Sequence, residues 1–213
     1  MDSRDEIGEI LARELYVAAR LDPSTAPGAP LLASAMLGKS CVRPVPANEL
    51  PGNALLQLTG ANWVIYVREG LSASRLNHAI AHELGEWFLR CRGYVEADVE
   101  ELSGRVAAAV CVPHVAFVAA HGNYGDDLSG LSQAFRVSES LMALRVAECL
   151  GTPTALITRK VVRVRGDARE WPTTREGWMA LVAQARARPN GLSVRALNDS
   201  RGRLVLRAGL PGR

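Results

Sequence analysis

The 213-residue sequence predicts an α+β protein in which a small sheet packs on a helical core, followed by a small basic α/β appendage. Three observations predict it. Apolar residues recur at three- and four-residue spacing over several stretches before residue 150. Two strand-like runs, residues 54–58 and 63–67, interrupt those stretches. Residues 159–213 then hold 13 of the 25 Lys+Arg but only 4 of the 22 Asp+Glu, a net +9 against −6 for residues 1–158. The expected division is a main domain over residues 1–155 and a basic C-terminal appendage over residues 156–213.

Ile7, Ile10, Leu11, Leu15 and Ala18 line one face of a first helix, which ends at Asp22-Pro23. Residues 27–30 read as a loop and residues 31–37 as a short helix closed by Gly38. The strand-like runs follow, joined by Thr59-Gly60-Ala61-Asn62 as a hairpin. Ser72 or Ser74 caps a helix to about Arg90, with Gly93 as terminator. Its core stripe is expected to be Leu76, Ile80, Leu84, Trp87 and Cys91, with His78, His82 and Glu86 stepping by four on the other side. A further helix over about residues 98–112 stops before Pro113. Residues 121–125 read as a Gly-containing loop, and residues 128–150 as one or two helices ended by Gly151. In the appendage, residues 161–164 and 204–206 read as strands, with a helix over residues 174–186 and a turn at Pro189-Asn190-Gly191.

A composition of 48% hydrophobic and 22% charged residues excludes disordered and fibrous classes. The longest apolar stretch, residues 107–120, is interrupted by Pro113 and His114 and falls short of the roughly 18 residues a membrane span needs. The N-terminus is acidic and polar where a secretory leader is basic and then apolar, so a cytoplasmic location is expected. Cys41, Cys91, Cys111 and Cys149 form no Cys-x-x-Cys pair and sit in apolar contexts, which reads as buried free thiols. The basic tail lacks aromatic interleaving, so a solvated Arg-rich domain competes with a nucleic-acid surface.

The chemistry concentrates at His82-Glu83-Leu84-Gly85-Glu86. On a helix, His82 and Glu86 overlie one another and can converge on one ion about 2 Å from each. Glu83, one residue round, can act on a water there as general base. His78, four residues before His82, is either an alternative ligand or a polar neighbour. His114, His121 and Tyr124 are candidates for a loop-borne hydrogen bond to a reacting group, and Tyr66 for the border of an extended substrate.

The neighbouring residues extend the pattern. Trp63-Val64-Ile65-Tyr66-Val67 precedes it, and Glu100-x-x-Ser103-Gly104-Arg105-Val106-Ala107-Ala108-Ala109-Val110-Cys111-Val112-Pro113 follows. Then come Pro113-x-x-x-Phe117 and Leu131-x-x-x-Phe135-x-Val137-Ser138. This order resembles the ImmA/IrrE family of zincin-like metallo-endopeptidases over about residues 7–150, with His-Glu-x-x-Glu in place of His-Glu-x-x-His. The resemblance implies a zincin-like core, His82 as ligand, Glu83 as general base and Glu100 as third ligand from the next helix. Small Ser103 and Gly104 are expected to let that helix approach.

Glu86 is the departure. Two carboxylates and one imidazole give a ligand charge of −2, so an ion there polarises a carbonyl less than one in a two-histidine site. Zinc is the implied metal, with Mn²⁺ or another divalent ion favoured by the harder ligand set. The resemblance also implies a protein substrate, such as a helix-turn-helix transcriptional repressor. The competing readings are a degenerate member that binds a partner without cutting it, and a nucleic-acid-associated regulator acting through the basic tail.

Overall fold

The computed structural model describes residues 3–125, 127–152, 154–157, 162–165, 172, 174–187, 192–196 and 204–208. The chain divides into two units, one spanning Ser3–Ser138 and the other beginning at Glu139.

The first unit contains α1 (Ser3–Ala19), a 3₁₀ turn (Pro23–Thr25), α2 (Ala29–Leu37), β1 (Val42–Val45), β2 (Ala54–Thr59), β3 (Asn62–Arg68), α3 (Ala73–Cys91), α4 (Glu96–Cys111), α5 (His114–Tyr124) and α6 (Leu128–Ala134). β2 and β3 form the expected hairpin, with Ala54 opposite Val67 and Thr59 opposite Asn62. Gly60 takes φ +62° in its turn, the left-handed region that glycine enters without a Cβ clash. β1, which the sequence does not announce, pairs parallel to β3, so the sheet order is β1-β3-β2. It is only four residues long, and its Arg43 and Pro44 are exposed, so neither apolar run nor alternation betrays it. β3 supplies buried Val64, Ile65 and Val67, and β2 is left at an edge.

α1, α3 and α4 form the helical core. α1 packs on α4 and carries buried Leu11, Leu15 and Tyr16, and the Tyr16 hydroxyl donates to the Val110 carbonyl at 2.7 Å. α2 begins at Gly28, which offers no capping side chain. Asn77 of α3 supplies the missing acceptor, taking the Ala29 N–H at 2.8 Å. The buried face of α3 is Asn77, Ile80, Ala81, Leu84, Gly85, Phe88 and Leu89. Trp87 is only half-buried and Cys91 is exposed, so the stripe turns towards Phe88 and Leu89 instead of following the expected Trp87-Cys91 line. All four cysteines are free. Cys41 and Cys111 are buried and Cys149 is intermediate, so Cys91 alone departs fully from the expected burial. Residues 121–124, expected as loop, continue α5. The helix is anchored by buried Ala116 and Phe117 and ends only at Gly125, where φ is +55°.

The second unit contains α7 (Glu139–Leu150), β4 (Thr154–Ile157), β5 (Val162–Arg165), α8 (Arg175–Ala187), β6 (Leu192–Ala196) and β7 (Leu204–Ala208). Its antiparallel sheet has the order β5-β4-β7-β6. Ala155, Ile157, Trp178, Val182 and Ala185 make its core, so α8 packs on the sheet as an amphipathic helix does. β4, all four residues buried, and β6 were not expected; a short fully buried run carries no period to read. The turn expected at Pro189-Asn190-Gly191 and most of the Arg-rich tail lie outside the described residues. Among the described residues no single helix is long and apolar enough to cross a membrane.

Candidate metal centre

α3 and α4 position the site. They run past each other with Gly85 facing α4: a Cβ at that position would stand 3.3 Å from Val106 Cγ1 and 3.4 Å from the Ser103 carbonyl oxygen. Ser103 is fully buried, and its hydroxyl donates to the Glu100 carbonyl at 3.1 Å. The close approach thus rests on Gly85 and Ser103. Gly104, expected to share that role, would meet nothing within 4 Å if it carried a Cβ.

This approach brings Glu100 of α4 beside His82 and Glu86 of α3. One ligand atom from each lies within 4.8 Å of the others. His82 Nε2 and Glu86 Oε1 stand 3.2 Å apart, with side chains 28% and 14% exposed. That separation suits neighbouring ligands on one ion, whose bonds are about 2.0–2.2 Å. One imidazole and two carboxylates are a donor set that Zn²⁺ and harder divalent ions accept. The residues therefore fit a divalent metal.

Glu83 sits on the side of α3 that faces β2. Its Oε2 accepts the Leu56 backbone N–H at 2.8 Å, an edge-strand donor that the sheet leaves unpaired. Burial pushes the Glu83 carboxyl above the usual carboxylate range; the Leu56 N–H opposes this, and the Glu86 charge adds to it. His82, Glu83, His78 and Arg75 line a cleft of about 400 Å³ with Gly52, Asn53 and Ala54. His78 faces that cleft with its ring centroid 6.4 Å from that of His82, and it lies outside the three-residue ligand group.

The IrrE N-terminal-like domain of the M78 peptidases matches residues 43–147. The chain belongs to the ImmA/IrrE family. The α+β, zincin-like architecture expected from the sequence is that of this family domain. No curated protein matches the sequence. A solved structure described as a Mycobacterium tuberculosis transcriptional regulator is similar, at 14% identity and a TM-score of 0.55, over 97% of this chain and 75% of the other. At that identity the likeness concerns the fold.

Membership of the ImmA/IrrE family suggests a metallopeptidase-like or regulatory function and implies a divalent metal, which the His82, Glu86, Glu100 group could hold. Of the other candidates, Tyr66 lies within the sheet opposite Leu55, its hydroxyl 3.2 Å from Thr59 Oγ1. His114, His121 and Tyr124 lie on α5 and do not line the cleft at His82; His121 packs against Phe117 with centroids 5.4 Å apart. Two partners escaped the sequence. The Leu56 N–H is a backbone group and carries no residue signal. Arg90 donates to Glu86 Oε2 at 2.8 Å, and its place four residues after Glu86 is a readable helical ion-pair spacing.

Proposed function

We propose that this protein is a metal-dependent endopeptidase that cleaves a specific protein partner, such as a helix-turn-helix transcriptional repressor, in the cytoplasm. The observation that carries the reading is the convergence of His82, Glu86 and Glu100, with half-buried Glu83 next to His82 on the cleft that those two residues line. His82, Glu86 and Glu100 are the proposed ligands and zinc the proposed ion. When bound, the ion supplies Lewis-acid polarisation of the scissile carbonyl.

The chain's own residues supply the rest. Glu83 Oε2 is held by the Leu56 N–H, so Oε1 is the oxygen that takes the proton of the attacking water and delivers it to the leaving nitrogen. Burial, which raises its pKa in the metal-free protein, favours it as a base over an exposed carboxylate. The substrate lies extended along β2, whose Ala54 borders the cleft, so that backbone pairing gives affinity and side chains give selection.

Glu83→Gln keeps an acceptor for the Leu56 N–H and removes the base. Cleavage of a candidate repressor should fall by at least ~100-fold while zinc content is unchanged. Equal cleavage by the variant rejects the role of Glu83. Stoichiometric zinc with no cleavage of any partner by the wild type assigns the cleft to partner binding alone.

A further inference from the structure

Arg90 joins two carboxylates from different helices. Its Nη1 donates to Glu86 Oε2 at 2.8 Å, while Nη2 and Nε donate to Glu96 Oε1 and Oε2 at 2.8 and 3.4 Å. Glu96 is the first residue of α4, one helical turn before Glu100 and on the same face. The guanidinium therefore ties the Glu86 carboxylate to the turn of α4 from which Glu100 projects.

We propose that Arg90 is a positioning residue for the metal set: it pins Glu86 by one oxygen, so that the other stays turned to His82, and through Glu96 it fixes the start of α4. This rests on the reading of His82, Glu86 and Glu100 as ligands. A histidine at position 86 needs no such restraint, because a ring nitrogen is a single donor on a two-torsion side chain. A glutamate has three torsions and two equivalent oxygens, and can swing away or bind through both. Arg90 removes that freedom by occupying Oε2. Its charge also offsets the carboxylate that replaces a neutral ligand.

The same positive charge repels a cation, so the two effects oppose each other. The Arg90 side chain is 42% exposed, which makes the repulsion water-screened, and salt reduces it further. Orientation of a ligand does not depend on salt. Hydrogen-bond partners of metal ligands typically carry about 10–100-fold in metal affinity, and positioning is the larger effect once the repulsion is screened.

The test is zinc titration of the full chain against a competing chelator at about 0.5 M NaCl, where the screening length is roughly 4 Å. Arg90→Gln should weaken Zn²⁺ binding by about 10-fold or more. In a Glu86→His background the same change should cost only about 3-fold, because the carboxylate that Arg90 pins is gone and only its tether to Glu96 remains. A purely structural Arg90 produces equal losses in both backgrounds, which overturns the proposal, as does unchanged or tighter binding by Arg90→Gln. Glu96→Gln, on a side chain 78% exposed, serves if Arg90→Gln fails to fold, and should weaken binding about 3-fold or more. Wild-type protein that binds no zinc removes the metal centre and this inference together, whereas zinc binding insensitive to Arg90 removes the inference alone.

Discussion

Gly85→Ala separates two effects that act in opposite directions at the heart of the site. In a helix interior, replacing Gly by Ala stabilises by about 0.8–1 kcal/mol through backbone propensity alone. Here the new methyl meets Val106 Cγ1 at 3.3 Å and the Ser103 carbonyl at 3.4 Å, both tighter than ordinary contact. Neither neighbour yields easily: Val106 is fully buried and β-branched, and the Ser103 oxygen is backbone. Overpacking of this kind costs about 1–3 kcal/mol, so the net change is a loss of roughly 0–2 kcal/mol. Any relief must come from α3 and α4 moving apart, which draws Glu100 away from His82 and Glu86. Urea denaturation of the metal-free protein and zinc titration check both consequences. A variant stabilised by about 1 kcal/mol, with wild-type zinc affinity, would refute the claim that the helix approach at Gly85 sets the ligand group.

Two other changes probe the surroundings. Asn77→Ala removes the acceptor that caps α2 from a distance, and should destabilise the protein by about 1–2 kcal/mol in chemical denaturation; a change within a few tenths would show that water replaces the cap. In metal-free protein, burial raises the folded-state pKa of Glu83 above the ordinary carboxylate value, so the native state binds more protons than the unfolded state between the unfolded and folded values. Native stability therefore falls as pH rises through that window and is unaffected by this group below about pH 4. The stability of Glu83→Gln relative to wild type should rise between pH 4 and pH 7, measured by thermal melting in chelator. A pH-independent difference contradicts the burial of that carboxyl.

The polar face of α3 was legible because a four-residue step on a helix is a geometric fact: His78, His82 and Glu86 had to share a side. Its apolar face was less so. Trp87 and Phe88 are adjacent and both apolar, and only tertiary packing decides that Phe88 is buried and Trp87 half-buried. The β2–β3 hairpin was readable from two runs around a Gly-containing turn, whereas β1 is a strand through its pairing with β3 and not through its composition. α5 passes straight through Gly122, a residue that is tolerated inside a helix at modest cost and so gives an ambiguous stop signal. Glu100 was placed by resemblance. No spacing within one helix connects it to His82, and the contact exists because Gly85 lets α4 come close.

The same division between local and tertiary information governs the charge of the site. Counted from the sequence, His82, Glu86 and Glu100 present −2, one unit more negative than a two-histidine set, which predicts a poorer Lewis acid. The structure adds the Arg90 guanidinium at 2.8 Å from Glu86, on the oxygen facing away from His82. With it the group carries −1, the total of two imidazoles and one carboxylate, although Glu96 shares the same guanidinium at 2.8 Å and draws on its charge. The equivalence is partial, because a cation 42% exposed acts through a water-like dielectric while a ligand bond does not. The replacement at position 86 therefore costs less in net charge than the ligand count indicates. What it adds is a requirement for orientation, since a carboxylate must be held where an imidazole is held by its own ring.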